Sequence, residues 1–282
     1  TSSEKVNFKQ RMKKNIPVWM KGALFFLVYF GERWALKVAK PKEFFFGHKT
    51  VFFFSYFIHL VKEKCSRGEF FSNQWNGIPE LMRDMQLQSN WVHHYLVSAV
   101  VPNTETAVDW IEKFNSSVKP TQRHGILDSY LSAFLLIKAF IAWLRISFIS
   151  FSLKGVEKCF YNSDSSVWLW PYLKNDWMKS FSGPVGAQNM IWIQLMDQMM
   201  KQLPKQKLGF FLYEGQGWER AFIHLWRKYN HEKLVAVAHS TVRHLDMRYF
   251  FDPRAFERNG PFCQPRSDVV AVNGPLAENE LV

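Results

Sequence analysis

Cysteine is scarce in this chain, and its three cysteines form no recognisable set. Cys65, Cys159 and Cys263 are too scattered for a zinc site and too few for an even set of disulfide bonds. No signal-peptide pattern is visible either. These absences argue against a disulfide-stapled scaffold and predict a protein of the reducing cytoplasm.

Common catalytic and metal-binding motifs are also missing. The chain has neither a serine-centred nucleophile elbow nor a phosphate-cradling Gly-Lys-Ser/Thr loop, which weakens a hydrolase or nucleotide-triphosphatase interpretation. Gly215 and Gly217 alone do not make a dinucleotide-binding fingerprint. His93, His94 and His224 lack zinc-ligand spacing, so we predict a site without a metal ion.

An unbroken apolar run of membrane-spanning length is missing as well. A spanning helix needs ~20 largely apolar residues. The run after Lys21 is interrupted by Glu32, and residues 131–153 are interrupted by Lys138 and Arg145. We therefore expect a buried or interfacial helix at 131–153, with an integral membrane protein as the less favoured alternative.

Aromatic and basic residues are abundant. The chain has 282 residues, 27 Phe, 12 Trp and a net charge of +12, with 48% hydrophobic and 21% charged residues. This composition is that of a globular protein with a sizeable core and an anionic partner. Long apolar segments favour burial of the tryptophans over an exposed stacking platform, so we predict no nucleic-acid partner.

The basic charge is concentrated near the start of the chain. Residues 1–64 contain 13 Lys or Arg and 4 Asp or Glu, and the basic residues before the apolar run 22–30 include Lys9, Arg11, Lys13 and Lys14. A basic segment of this kind can lie on an anionic membrane surface. It can equally be the solvated end of a core helix, and the sequence leaves both interpretations open.

The segment 207–241 predicts a strand, a loop, a helix and a second strand. Residues 208–213 and 234–238 are apolar runs of strand length, and apolar residues between them recur at helical spacing. This pattern indicates a βαβ unit of a buried parallel sheet. The fold class predicted for the chain is α/β, a Rossmann-like parallel sheet with flanking helices. A mainly helical fold is the competing prediction.

Polar residues follow both strands of this βαβ unit. Glu214 and Gln216 come after the first strand, and His239, Ser240 and Thr241 come after the second. Because open parallel sheets bind ligands at the carboxyl ends of their strands, we expect these side chains to line one crevice. We predict His239 or Glu214 as the general base, with Gln216, Ser240 and Thr241 binding substrate.

Simpler roles compete with these. Glu214 can cap the helix that follows it, and Glu219 can complement the positive end of that helix instead of binding substrate. His239 can be a packed histidine bonded to a backbone carbonyl. Arg243 also follows the second strand, and we predict that it binds substrate. Its guanidinium can bind a phosphate, or it can stack on neighbouring aromatic rings instead.

Several segments together resemble bacterial surface-carbohydrate biosynthesis proteins, which are glycosyltransferase-like proteins of capsule and O-antigen pathways. The resemblance is carried by Thr50-Val-Phe-Phe-Phe-Ser-Tyr-Phe, Gly68-Glu-Phe-Phe-Ser-Asn-Gln-Trp-Asn-Gly-Ile-Pro-Glu-Leu, Tyr213-Glu-Gly-Gln-Gly-Trp-Glu-Arg-Ala, Val237-Ala-His-Ser-Thr-Val-Arg and Asp268-Val-Val-Ala-Val-Asn-Gly. It is best over residues 50–98 and 207–282.

The resemblance implies a GT-B arrangement, in which two Rossmann-like domains face a cleft. It implies transfer of a sugar from a nucleotide sugar to a glycan or lipid-linked acceptor at the cytoplasmic face of the membrane, without a further cofactor. Ser55 and Tyr56 would join the cleft, although packing within the sheet explains them as well. The alternative is a non-catalytic, membrane-associated binding or assembly protein with the same fold.

The expected organisation follows from the same resemblance. Residues 1–49 would form a basic and apolar helical segment, 50–262 an acceptor-side domain, and 263–282 the start of an inter-domain region or second domain. The chain would then be the N-terminal half of a GT-B-like protein, a fragment that lacks most of the donor-binding domain.

Overall fold

The computed structural model describes residues 16–41, 43–116, 121–162, 166–238, 252–257, 260–275 and 277–278. The chain divides into two compact units. The helical unit comprises residues 1–32 and 132–194, and the sheet unit comprises residues 33–131 and 195–282. This division differs from the contiguous segments expected from the sequence, because the helical unit is assembled from two separate stretches of chain.

The described part of the sheet unit is built on six parallel strands in the order β3-β2-β1-β6-β7-β8. Their bounds are β1 Thr50–Tyr56, β2 Gln88–His94, β3 Gln122–Ile126, β6 Leu208–Leu212, β7 Lys233–Val237 and β8 Val269–Ala271. The α/β class and the parallel, Rossmann-like sheet are thereby confirmed. The mainly helical alternative is wrong.

Helices and short 3₁₀ turns accompany these strands in the sheet unit. The helices are α2 Lys62–Ser66, α3 Ile78–Asp84, α4 Thr104–Asn115 and α8 Gly217–Lys228. The 3₁₀ turns are Trp34–Val38, Leu127–Tyr130 and Pro253–Phe256. Asn103 is the N-cap residue of α4, and its side-chain oxygen accepts a bond from the Thr106 amide at 2.8 Å.

The helical unit contains most of α1 (Val18–Arg33), then α5 (Ala133–Ser152), α6 (Trp170–Phe181) and the first part of α7 (Pro184–Gln202). A 3₁₀ turn, Val156–Phe160, and a small antiparallel pair, β4 Tyr161–Asn162 and β5 Val167–Trp168, lie between α5 and α6. Among the described residues, α5 alone is long and apolar enough to cross a membrane by length and composition, and most of it is not buried.

The central strand β1 is buried over its whole length, as expected for a strand covered on both faces. Alternate side chains serve opposite layers. Phe52 and Phe54 stack on Phe222 of α8, with ring centroids 6.3 and 4.6 Å apart. On the other face, Phe53 stacks on Trp91 of β2 at 4.0 Å. This aromatic core sets β1 between two layers and directs its last residues to the carboxyl edge.

The strand β3 was not predicted, and its sequence explains why. Gln122–Ile126 contains one β-branched residue, and Gly125 lies in its interior. A Cβ atom at Gly125 would fall 2.3 Å from the Pro41 ring, so the close approach of another segment requires glycine here. Tertiary pairing with β2 makes this segment a strand despite its weak intrinsic preference.

Candidate functional site

The strand order reverses direction between β1 and β6. From β1 the sheet continues through β2 and β3 on one side and through β6, β7 and β8 on the other. In open parallel sheets such a switch point leaves a crevice outside the carboxyl ends of the two central strands. The residues at this place are Tyr56, which ends β1, and Glu214, which follows β6.

Glu214 begins the loop that joins β6 to α8. The side chain of Glu219, in the first turn of α8, reaches back and braces this loop. Its Oε1 accepts a bond from the Glu214 amide at 2.8 Å, and its Oε2 accepts one from the Gly215 amide at 3.1 Å. A first-turn glutamate that returns to earlier backbone N–H groups is a capping arrangement. Gln216 is the exposed N-cap residue of the same helix.

Glu219 is only 1% exposed, and burial raises the pKa of its carboxyl to about 7 against the opposing effect of the backbone hydrogen bonds. The nearby charge of Glu214 also raises this pKa. At neutral pH the Glu219 carboxyl is therefore close to its titration midpoint. The visible contacts of Glu219 position the Glu214 loop, and its predicted contact with substrate stays a prediction.

Tyr56 lies on the α8 face of the sheet. Its hydroxyl accepts a bond from the Trp218 Nε1 at 3.2 Å, and its ring packs edge-on to the Trp218 ring. Burial, followed by the negative charge of Glu214, raises the pKa of Tyr56 above its usual range. The phenol therefore stays protonated and keeps its own proton available for donation.

His94 belongs to the same group, although the sequence analysis did not place it there. It ends β2, and its ring lies 5.8 Å from the Tyr56 ring and 4.9 Å from the Trp218 ring between centroids. Burial, and then the charge of Arg33, lowers its pKa to about 3, so the ring is neutral. A signal was present in the sequence, since His93 and His94 follow the strand-like pair Trp91-Val92, just as His239 follows an apolar run.

Ser55 and Tyr56 point to opposite faces of the sheet because they are consecutive residues of one strand. The Ser55 hydroxyl is 2% exposed, accepts a bond from Trp75 Nε1 at 2.7 Å and donates to the Tyr56 carbonyl at 3.3 Å. The structure therefore does not bring Ser55 to the group formed by Tyr56, His94 and Trp218, and its observed contacts are those of sheet packing.

The strand that leads to His239 runs as the sequence predicts. β7 pairs with β6 in parallel, and the Tyr213 amide donates to the Val237 carbonyl at 2.9 Å. The described chain continues to Ala238, which is buried at this edge. The other predicted site residues after this strand lie outside the described residues, namely His239, Ser240, Thr241 and Arg243.

Arg254 is a second arginine in the region after β7, and its contacts in the structure are local. Its guanidinium bonds the Asp252 carboxylate and lies 4.9 Å from the centroid of the Phe262 ring. The Arg254 guanidinium lowers the pKa of Asp252 to about 2. This arginine therefore stacks and pairs locally.

A cavity of about 260 Å³ lies at the opposite, amino edge of the sheet and is lined by Glu43, Phe44, Phe45, Phe46, Gln88 and Arg123. It shares none of the predicted site residues. Among the residues that the structure describes, no group of three or more His, Cys, Asp or Glu side chains is arranged to hold a metal ion.

Comparison of the chain with protein-family models, with curated proteins and with solved structures finds no match in any of the three. The chemistry available at the carboxyl edge is thus judged from the residues found there. They are a half-buried carboxylate on a braced loop, a protonated buried phenol, a neutral imidazole and the amino end of a helix. We call this group, formed by Tyr56, His94, Glu214, Trp218 and Glu219, the switch-point cluster.

Proposed function

We propose that this protein is a glycosyltransferase-like protein of bacterial surface-carbohydrate biosynthesis. It would transfer a sugar from a nucleotide sugar to a glycan or lipid-linked acceptor, and this chain would supply the acceptor side of a GT-B-like cleft. The observation that supports the proposal most is the switch-point cluster, where ionisable groups gather at the edge of a parallel sheet that favours ligands. The sequence resemblance names the reaction class.

Glu214 is well placed to act as the general base. Its backbone is held by Glu219 at the carboxyl edge of the sheet, which would give a base at this position a fixed origin. In the proposed reaction an acceptor hydroxyl attacks the anomeric carbon of the donor. Its proton passes to the base, and the bond from that carbon to the phosphate oxygen breaks. His239, which comes after β7 in the sequence and lies outside the described residues, is the second candidate base.

Other groups of the cluster would orient the acceptor and balance charge. The Tyr56 hydroxyl can donate to an acceptor oxygen, because it accepts from Trp218 and keeps its own proton. The first turn of α8 presents backbone N–H groups and a positive dipole end, which can offset negative charge on a phosphate without a metal ion.

The full-length protein should bind and use at least one nucleotide sugar. A panel of nucleotide sugars would be screened by thermal shift, and transfer to membrane-extracted lipid and glycan acceptors would be followed with labelled donor. Tyr56→Phe should lower turnover about tenfold, since the loss of one hydrogen bond in a buried site costs roughly 1.4 kcal/mol.

Glu112→Gln is the matched control because Glu112 is exposed on α4, away from the carboxyl edge. It should leave turnover at the wild-type level. Absence of donor binding and of transfer across the panel would contradict the proposal and favour the non-catalytic binding protein. Equal turnover in Tyr56→Phe and Glu112→Gln would remove the phenol from the mechanism.

A further inference from the structure

The long helix α5 is more apolar on its outer face than on its inner face. Its buried positions are Leu135, Ala139, Trp143, Ser147 and Ser150. Its exposed positions include Phe134 (67% exposed), Ile137, Ile141, Phe148 (70%) and Ile149. A surface helix of a water-soluble domain normally shows the reverse distribution. We call this exposed row the α5 stripe.

The helix α1 repeats the pattern within the same unit. Trp19, Leu24, Leu27 and Val28 are exposed on its outer side, with Leu27 at 73%. Its inner side carries Gly22, where a Cβ atom would fall 2.4 Å from the Ser182 carbonyl oxygen and 2.7 Å from the Trp143 ring. Large apolar side chains are thus exposed on α1 as well, away from its close contact at Gly22.

Basic residues lie within and beside the α5 stripe. Lys138 and Arg145 are exposed on the outer face of the helix, and Lys154 follows it. None of the described residues forms an ion pair with Lys138 or Arg145, and the Lys138 ammonium rests 4.6 Å from the Phe134 ring centroid. An apolar face that also carries unpaired positive charge matches the surface of an anionic bilayer.

The position of Arg145 argues against a spanning helix. A helix of 20 residues is about 30 Å long, the thickness of the hydrocarbon core, so its middle would lie at the bilayer centre. Arg145 lies close to that middle, where a charged side chain is costly. When the helix lies in the plane of the surface instead, both basic side chains reach the headgroups while the apolar ones enter the acyl region.

The same charges argue against a second copy of the chain as the partner that covers the α5 stripe. A two-fold symmetric dimer formed through the α5 stripe would bring Lys138 and Arg145 of both copies into one interface. Like charges would then meet without acidic partners from the described part of the stripe, whereas anionic headgroups neutralise them. Charge complementarity therefore favours lipid.

We propose that the helical unit docks on an anionic lipid surface, with the α5 stripe lying in the headgroup and upper acyl region. This docking is independent of the chemistry at the switch-point cluster. It would hold the protein where lipid-linked molecules are available.

Vesicle flotation tests this proposal. The full chain would be mixed with phosphatidylcholine vesicles, with or without phosphatidylglycerol. We expect the wild type to float with the anionic vesicles. The triple variant Ile137→Asn, Ile141→Asn, Phe148→Asn should lose binding about tenfold or more, because these side chains supply apolar area that enters the bilayer. Lys138→Gln with Arg145→Gln should reduce the preference for phosphatidylglycerol.

The matched control is Leu81→Asn, Met85→Asn, Val97→Asn, whose exposed side chains belong to the sheet unit. It should float like the wild type, and circular dichroism would confirm that both triple variants are folded. Failure of the wild type to bind anionic vesicles, or equal binding by the two triple variants, would overturn the proposal. Resistance to carbonate extraction would contradict the interfacial placement. A dimer lost only in the α5 variant, without vesicle binding, would assign the face to a second copy.

Discussion

At the scale of single residues, Glu219 links protonation to the shape of the candidate site. Its carboxyl is buried, its pKa is raised to about 7, and both of its oxygens hold the loop that carries Glu214. Burying an ionised carboxylate normally lowers the stability of the fold, and the two backbone N–H groups that bond Glu219 offset that cost only in part. The protein therefore keeps a group near its titration midpoint beside the candidate base.

This predicts a specific pH dependence of stability. The folded pKa of Glu219 lies above its ordinary value of 4.5, so its contribution to stability is fully present below pH 4.5 and is lost as the pH rises through 7. Between pH 5 and pH 8 the unfolding free energy of the wild type should fall relative to that of Glu219→Gln by up to about 3 kcal/mol. Urea unfolding at several pH values measures this difference, and a difference that does not change with pH would contradict it.

The histidines show what a linear sequence can and cannot reveal at this scale. His93 and His94 are adjacent, yet they belong to opposite faces of the sheet. His93 bonds His124 at 3.2 Å in the core, whereas His94 joins the switch-point cluster. The alternation of faces was predictable from the strand. Which face meets the candidate site depends on where α8 packs, and that is a tertiary property.

At the scale of elements, the packing of α8 on the sheet depends on a glycine. A Cβ atom at Gly209 of β6 would fall 2.4 Å from the Trp226 ring of α8. Trp226 is fully buried, and its Nε1 donates to the Glu232 carbonyl at 2.8 Å, so the ring has little freedom to move. This contact sets the distance of α8, and hence of Trp218 and Glu219, from the sheet.

Gly209→Ala should therefore destabilise the protein by about 1 to 3 kcal/mol, the usual cost of overpacking a core. Gly77→Ala is the control, because no atom lies within 4 Å of the added Cβ and the backbone φ of −75° suits alanine. Chemical denaturation would compare the two variants. Equal unfolding free energies in the two variants would show that the Trp226 ring can shift without loss of stability, and would contradict the prediction.

The elements differed in how well the sequence predicted them. The bounds of β6 and β7 were predicted to within one residue, and α8 was predicted as the helix between them, because two apolar runs flank a strongly amphipathic segment. The helix expected at residues 131–153 is α5, which begins at Ala133. There the Ser132 hydroxyl accepts a bond from the Leu135 amide after a short 3₁₀ turn. β3 was missed because its strand state comes from pairing and from the approach of Pro41.

At the scale of the whole molecule, the division into units follows long-range contacts that local patterns do not encode. The chain leaves the sheet unit after β3, forms most of the helical unit, and returns within α7 before β6. None of these points coincides with a boundary of the sequence-based division into 1–49, 50–262 and 263–282. The strand order, with its switch between β1 and β6, likewise became visible only in three dimensions.

The central claim is that Glu214 of the switch-point cluster, or His239 after β7, is the base that takes the proton of the acceptor. The most direct test is the turnover of Glu214→Gln and of His239→Ala in the full-length protein, with Glu112→Gln as control and with the identified nucleotide sugar as donor. We predict that one of the two variants loses ~100-fold or more in turnover while its melting temperature and its donor-induced thermal shift stay at the wild-type level. Wild-type turnover in both variants would contradict the account.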